Sequence, residues 1–550
     1  MTTTVVRAPA TSGAPARGRG GPFVGTGALL RLALRRDRIL LPAWVLGFAF
    51  MVVFSVAATK DLYPTVESRV EAADAVNATA ALVALYGKVY DPTSLGAVSL
   101  IKMTAFGAAL MSIVFVFLVV RHTRSEEESG RLELVASGVV GRDAPLAAAL
   151  LVGGIGSAAL GLITSLGLIA VGLPLGGSLA FGLAWALSGL VFSAIAGVAA
   201  QLTTSHRVAI GLGMASIAVA YVLRAVGDLA ATGDPGWLSW LSPIGWSQQI
   251  RPFAGDRWWV GLIPLVATLL LVPLAFALRA HRDLGSGYVA DRPGPAIGRL
   301  RGVEGLAWRL QRGSLVAWLV GSVLMGAVLG SVAHNVASLL DSEQMRSYLA
   351  VLGGEQGLTD MFLAAEMTIL GAVLSAYGMS AVMRLRSEET ALHAELLLGT
   401  ATTRLRWAAS HAVIAFVGVA VLMLATGAAV GVTHGFAVGD PGEQTLRLLG
   451  AAAAHVPAAW VMAALVLLLF GFVPRWVAGA WGVLVAFVVL GEFGPLWELP
   501  QWALDLSPFA HSPTLPGGPV DALSLVLLVV TAVVVAGAGL VGWRRRDLAA

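Results

Sequence analysis

The sequence predicts an all-α polytopic membrane protein of about 12 transmembrane helices, arranged as two parallel six-helix repeats. Three observations carry this. The 550 residues are 57% hydrophobic and only 12% charged, about half the charge fraction of a soluble domain. Apolar runs of roughly 20 residues, long enough to cross a ~30 Å hydrocarbon core as helix, recur along the whole chain. A polar passage, "RSEEESGRLELVASGVVGR" at 124–142, returns as "RSEETALHAELLLGTATTR" at 386–404.

Residues 1–26 are rich in Gly, Pro, Ala and Arg without an apolar core. They read as a disordered leader, so the first span serves as its own insertion signal. The candidate spans follow at 39–58, 97–120, 145–172, 176–200, 207–229 and 260–280, then at 313–334, 363–383, 406–432, 447–471, 474–493 and 521–543. "DRPGPAIGR" at 291–299 punctuates the middle with Pro and Gly. The expected division is a leader (1–26), a first repeat (27–279), a linker (280–304) and a second repeat (305–550).

Arginine sets the orientation. Arg31, Arg35, Arg36 and Arg38 precede the first span, Arg279, Arg282, Arg309 and Arg312 flank the middle, and Arg544, Arg545 and Arg546 close the chain. An even number of spans puts all three groups on one side, which the positive-inside bias makes cytoplasmic. Both termini and both polar passages are therefore expected on the cytoplasmic face of the cell membrane.

The duplication extends beyond the passage. Arg124, Ser125, Glu126, Glu127, Glu133, Leu134 and Arg142 recur 262 positions on as Arg386, Ser387, Glu388, Glu389, Glu395, Leu396 and Arg404. "LSP" at 241–243 recurs at 506–508, and "RDL" at 282–284 recurs at 546–548. Six spans per copy insert both copies the same way up, so the repeats are parallel.

Within the first passage, Ser125 followed by Glu128 reads as a capping box opening a short amphipathic helix. Glu127 and Arg131 are spaced as an i,i+4 ion pair, and Leu132, Val135 and Ala136 share the other face up to Gly138. The second passage offers Ser387 as cap, Glu389 facing His393, and Ala394, Leu397 and Leu398 as the apolar face up to Gly399. A helix so acidic is ill suited to an anionic leaflet and fits better as a docking surface for a protein. A loop that is merely capped and solvated would look similar, but duplication at matched positions favours docking on a two-fold partner.

These residues resemble the membrane subunits of ABC-type exporters of the second integral-membrane class, in the fused twelve-span form of actinobacterial multidrug and polyketide-antibiotic (tetronasin-like) exporters. The resemblance rests on "TRSEEESGRLEL" with "GR" at 141–142, "LSPIGW" at 241–246, "RDLGSG" at 282–287 and the tandem layout. It implies a type V exporter-like fold. It implies that both passages are coupling helices seating on an ATPase, with Arg124, Ser125, Glu126, Glu127, Glu128, Arg131, Glu133 and Arg142 in the first and Arg386, Ser387, Glu388, Glu389, His393, Glu395 and Arg404 in the second. It also implies amphipathic elbow helices at 27–38 and 305–313. Leu392 and His393 stand where the first copy has Gly130 and Arg131, so the two docking sites need not be equal.

The ATPase is expected elsewhere. A P-loop needs Lys followed by Ser or Thr, and the three lysines precede Asp61, Val89 and Met103. ATP and Mg are thus expected on a separate ATPase subunit, in two copies, and no cofactor on this chain. With no cysteine, disulfides, thiol catalysis and Cys-based metal sites are excluded, and no catalytic residue, metal site or nucleic-acid partner is assigned. The lone His455 reads as a helix-packing residue. The sparse charge within the spans suits an apolar or amphipathic cargo moved outward: an antibiotic, a drug or a lipid-like molecule.

The rival is an ion-coupled secondary transporter of the major facilitator type, also twelve spans in two parallel halves. Such carriers place carboxylates near the bilayer midplane, where this chain has almost none. On the outer side, Ser242, Pro243, Ser507 and Pro508 are either interfacial Pro turns or, as the resemblance implies, re-entrant segments lining the exit. Lys102 and Glu366, at the outer ends of corresponding spans, are read as a candidate gate pair.

Overall fold

The computed structural model describes residues 21–229, 236–289, 302–333, 354–493 and 500–547, and among these the regular structure is helical throughout. The chain divides into two compact units, Met1–Pro293 and Gly294–Ala550. Eleven helices among the described residues are long and apolar enough to cross a membrane.

The first unit opens with a short amphipathic helix, Thr26–Arg36, and then the span Leu40–Leu62. Short helices Val66–Ala78, Ala80–Tyr86 and Leu95–Ser99 lead to a π-helical turn, Met103–Gly107, and the span Ala108–His122. A π turn leaves a carbonyl misaligned with the ladder, and here the Trp185 indole donates to the Met103 carbonyl at 3.1 Å. Spans Ala144–Ala170, Leu175–Leu202, His206–Leu229 and Leu262–Ala280 complete the unit. Where apolar helices meet inside lipid, close packing and not water exclusion holds them together, which favours small residues at the seam. A Cβ on Gly161 would lie 2.5 Å from the Gly182 carbonyl oxygen. Only glycine allows that approach of Ala144–Ala170 to Leu175–Leu202.

The second unit contains Gly302–Ala333, Gly354–Thr390, Arg404–Val438, Pro441–Phe472, Ala480–Phe493 and Ala522–Arg545. Two features depart from expectation. The second elbow at 305–313 is not a separate helix but the first turns of Gly302–Ala333. In the first unit a break at residues 37–39 buries Asp37 against Arg121, at 2.9 Å, and His122; in the second no such break occurs and Gln311 pairs with the buried His411 at 2.8 Å. The expected span at 474–493 is a 3-10 turn, Pro474–Gly479, followed by the shorter helix Ala480–Phe493. Pro474 supplies no N–H and stops the preceding helix at Phe472. His455 is spent on packing: Nδ1 meets the Ala451 carbonyl at 2.8 Å and Nε2 meets Thr368 at 3.3 Å.

Candidate functional site

Each unit gathers its repeated polar passage at the end where its last span finishes. In the first unit the passage forms two short helices, Arg124–Glu128 and Arg131–Ala136, broken at Gly130 with φ +72°. In the second, Gly354–Thr390 runs on into the passage and the break falls at Leu392 with φ +60°, before His393–Leu398. This corrects the expected continuous helix and its caps. Neither serine caps: Thr123 precedes the first helix without a side-chain cap, and Ser387 sits inside a helix, donating to the Arg384 carbonyl at 2.8 Å.

The left-handed residue also changes the partners. Breaking the helix at 130 takes Arg131 off the i,i+4 register, so it reaches Glu126 at 3.4 Å and not Glu127. For the same reason His393 meets Glu388 at 3.1 Å and not Glu389. Glu126 also takes Arg36 of the first amphipathic helix at 2.7 Å. Glu128 takes the backbone N–H of His206 at 2.7 Å.

Glu127 turns inward. Its carboxylate accepts both arms of the Arg282 guanidinium, at 2.6 and 2.8 Å, and the Gly285 N–H at 2.7 Å. Arg124 stands 3.3 Å away and is 1% exposed. Its guanidinium donates to the Ala200 carbonyl at 2.9 and 2.6 Å. That carbonyl lies in the last turn of Leu175–Leu202, the negative end of the helix dipole. Arg282 also donates to Gln201 at 2.9 Å. Two buried cations and one carboxylate are thereby compensated by hydrogen bonds as well as charge, as buried ions require. Arg142 closes the cluster, donating to the Arg279 and Arg282 carbonyls at 2.9 and 2.7 Å.

The second unit repeats the plan at matched positions. Glu389 accepts from Arg546 at 2.8 Å and from Arg386 at 2.9 Å. Arg404 donates to the Arg546 carbonyl at 2.6 Å, as Arg142 does to that of Arg282. The surroundings differ, because Arg546 lies over the rings of Phe470 and Trp543 at 5.3 and 5.0 Å. Arg282 and Arg546 were absent from the expected site. The repeated "RDL" was the signal that could have found them.

What remains outward is also matched. Leu132 and Ala394 are buried, Glu133 and Glu395 are exposed, and Leu134 and Leu396 are 77% and 76% exposed.

At the opposite end of the first unit, Ser242 caps Pro243–Gln249, taking the Gly245 N–H at 3.0 Å and donating to the Ala220 carbonyl at 2.6 Å. Nearby, Arg224 and Asp228 form a fully buried pair at 3.5 Å. Arg224 donates to the Val83 and Ala84 carbonyls, and Ser239 donates to Asp228 at 2.7 Å. Burial, with Asp228 adding to it, pushes the Tyr90 phenol above its ordinary value. In the second unit Ser507 and Pro508 are buried at the start of the short turn Pro508–His511. Lys102 is exposed, 5.6 Å from the Tyr86 ring centroid, and Glu366 is half-buried in the other unit.

Long apolar helices in two units, each with the same charged cluster at one end, define a multi-pass membrane protein of the permease class. The chain belongs to the multidrug efflux system permeases: the family described as "Multidrug efflux system permease Rv1217c, C-terminal domain" matches residues 27–282 and 300–544. It is 44% identical over 552 residues, covering 100% of both chains, to the "Multidrug efflux system permease protein Rv1217c" of Mycobacterium tuberculosis (strain ATCC 25618 / H37Rv).

Proposed function

We propose that the chain is the transmembrane permease subunit of an ATP-driven ABC exporter, moving an apolar or amphipathic compound out across the cytoplasmic membrane. In this reading a separate ATPase subunit, in two copies, binds ATP and Mg and docks on the two polar passages at the cytoplasmic face. The observation that supports it is the matched outward pair, Glu133 with Leu134 and Glu395 with Leu396. A leucine held about three-quarters bare at a charged loop tip gains nothing from water, and its repetition at the equivalent position supports reading it as a contact for a partner. In this reading Glu127 and Glu389, buried against Arg282 and Arg546, hold the two Glu–Leu pairs in place without touching the ATPase.

The test is co-expression with a candidate ATPase subunit, followed by pull-down and drug-stimulated ATP hydrolysis. Leu134→Asp combined with Leu396→Asp is expected to cut co-purification and stimulation at least tenfold. Drug efflux driven by a proton gradient without any ATPase would replace this reading with the secondary-carrier one.

A further inference from the structure

The helix Thr26–Arg36 is tied closely to the span that follows it. Three residues separate it from Leu40–Leu62, so its end lies within about 15 Å of the start of that span. A span that begins at the hydrocarbon boundary therefore holds this helix in or beside the headgroup layer, which is about 5–8 Å deep on each side. One side of the helix packs on Ala144–Ala170, with Ala33 buried and Leu30 and Leu34 against the core. The side left bare is apolar and basic together. Phe23, Leu32 and Ile39 are 52%, 52% and 75% exposed, and Arg31, Arg35 and Arg38 are exposed beside them.

The acid of this stretch is withdrawn from the surface. Residues 21–40 contain four arginines and one acid, Asp37, and Asp37 is fully buried against Arg121 and His122. Arg36 is spent on Glu126 at 2.7 Å. Arg31 gives one bond, from Nε to the Gly27 carbonyl at 3.3 Å, while Arg35 and Arg38 have no hydrogen bond or ion pair among the described residues. Residues four apart share a helix face, so Arg31 and Arg35 stand side by side. A guanidinium matches a phosphate through two parallel N–H bonds. Every phospholipid headgroup offers a phosphate, but in phosphatidylcholine the choline cancels its charge, and arginines without an opposing acid gain most from a headgroup that stays negative.

We propose that Arg31, Arg35 and Arg38 form a binding surface for anionic phospholipid, selected over zwitterionic lipid, with the acyl boundary meeting Phe23, Leu32 and Ile39. Through Arg36 and Glu126 the same helix ties the first polar passage to that lipid-bound surface. The second unit is built differently at the matching place. There Gly302–Ala333 is unbroken, and its first turns expose an acid, Glu304, alongside Arg309. The lipid selectivity is thus a property of the first unit. It draws on the membrane-spanning fold alone and is independent of the exporter reading.

The test uses the full-length protein, which has no cysteine of its own, carrying the fluorophore bimane on Ile39→Cys. In phosphatidylcholine nanodiscs, a small and equal fraction of doxyl-tailed phosphatidylglycerol or doxyl-tailed phosphatidylcholine serves as quencher. The phosphatidylglycerol form is expected to quench about threefold more strongly. In about 0.5 M salt, where exposed charges are screened, the ratio should fall towards one. Arg31→Gln combined with Arg35→Gln is expected to remove the preference while quenching by the phosphatidylcholine form persists, which shows the helix still seated at the bilayer. Lys60→Gln, at the far end of the same span, removes a cation elsewhere and should leave the ratio unchanged. Equal quenching by the two lipids with all arginines present would overturn the proposal, as would an undiminished ratio in the double arginine variant. Quenching by neither lipid would overturn it as well, by placing the helix outside the bilayer.

Discussion

Glu127 accepts three hydrogen bonds in a place where its side chain is 4% exposed. Removing one partner of such a pair is far more damaging than the pair is stabilising, because the remaining charge stays buried. Glu127→Ala therefore leaves Arg282 and Arg124 without a counter-charge, at a cost of about 3 kcal/mol. Thermal unfolding of the purified protein should show a clearly lower midpoint. Glu389→Ala should cost less, since Arg546 and Arg386 keep side-chain exposures of 15% and 28% and water can take over. Equal shifts for the two variants would contradict the geometry. The sequence showed these acids to be special through their duplication, but it could not show which way they face. The partner Arg282 stands 155 residues away, and spacing rules reach only one or two helical turns.

The short helices of the two passages depend on a left-handed residue. In the first it is Gly130, for which φ +72° is free; in the second it is Leu392, where φ +60° is strained. Gly130→Ala should cost about 1 kcal/mol, and Leu392→Gly should relieve a similar strain. Hydrogen exchange would register both, with faster exchange over 124–137 in the first variant and slower exchange over 387–399 in the second. Helical periodicity made the apolar faces legible, and Leu132 and Ala394 are indeed buried. It did not reveal the breaks, because Gly130 was readable as an interior residue and Leu392 carries no turn signal at all. The spans were legible for a simpler reason: in lipid the backbone must satisfy itself as helix, so length and hydropathy suffice. Hydropathy did not reveal local form: the apolar run from Pro474 is a turn, Pro474–Gly479, followed by the shorter helix Ala480–Phe493.

Over the whole molecule, the two units carry the same strut in different settings. The first is polar, with Gln201, Gly285 and Ala200 as partners. The second is aromatic: Arg546 lies over Phe470 and Trp543, and Trp407 packs at a tilt against both rings. The duplication was visible in the sequence, while the change of setting comes from Trp407, Phe470 and Trp543 on three different helices of the second unit, far apart in the chain. In the exporter reading both struts present an exposed Glu–Leu pair to an ATPase. A chain without native cysteine allows that to be tested by position. Single cysteines at Leu134, Leu396, Glu127 and Glu389 would be coupled to a short photo-crosslinker in the assembled complex. The account predicts adducts with the ATPase from 134 and 396 and none from 127 and 389. Adducts from 127 and 389 with none from 134 and 396 would contradict it.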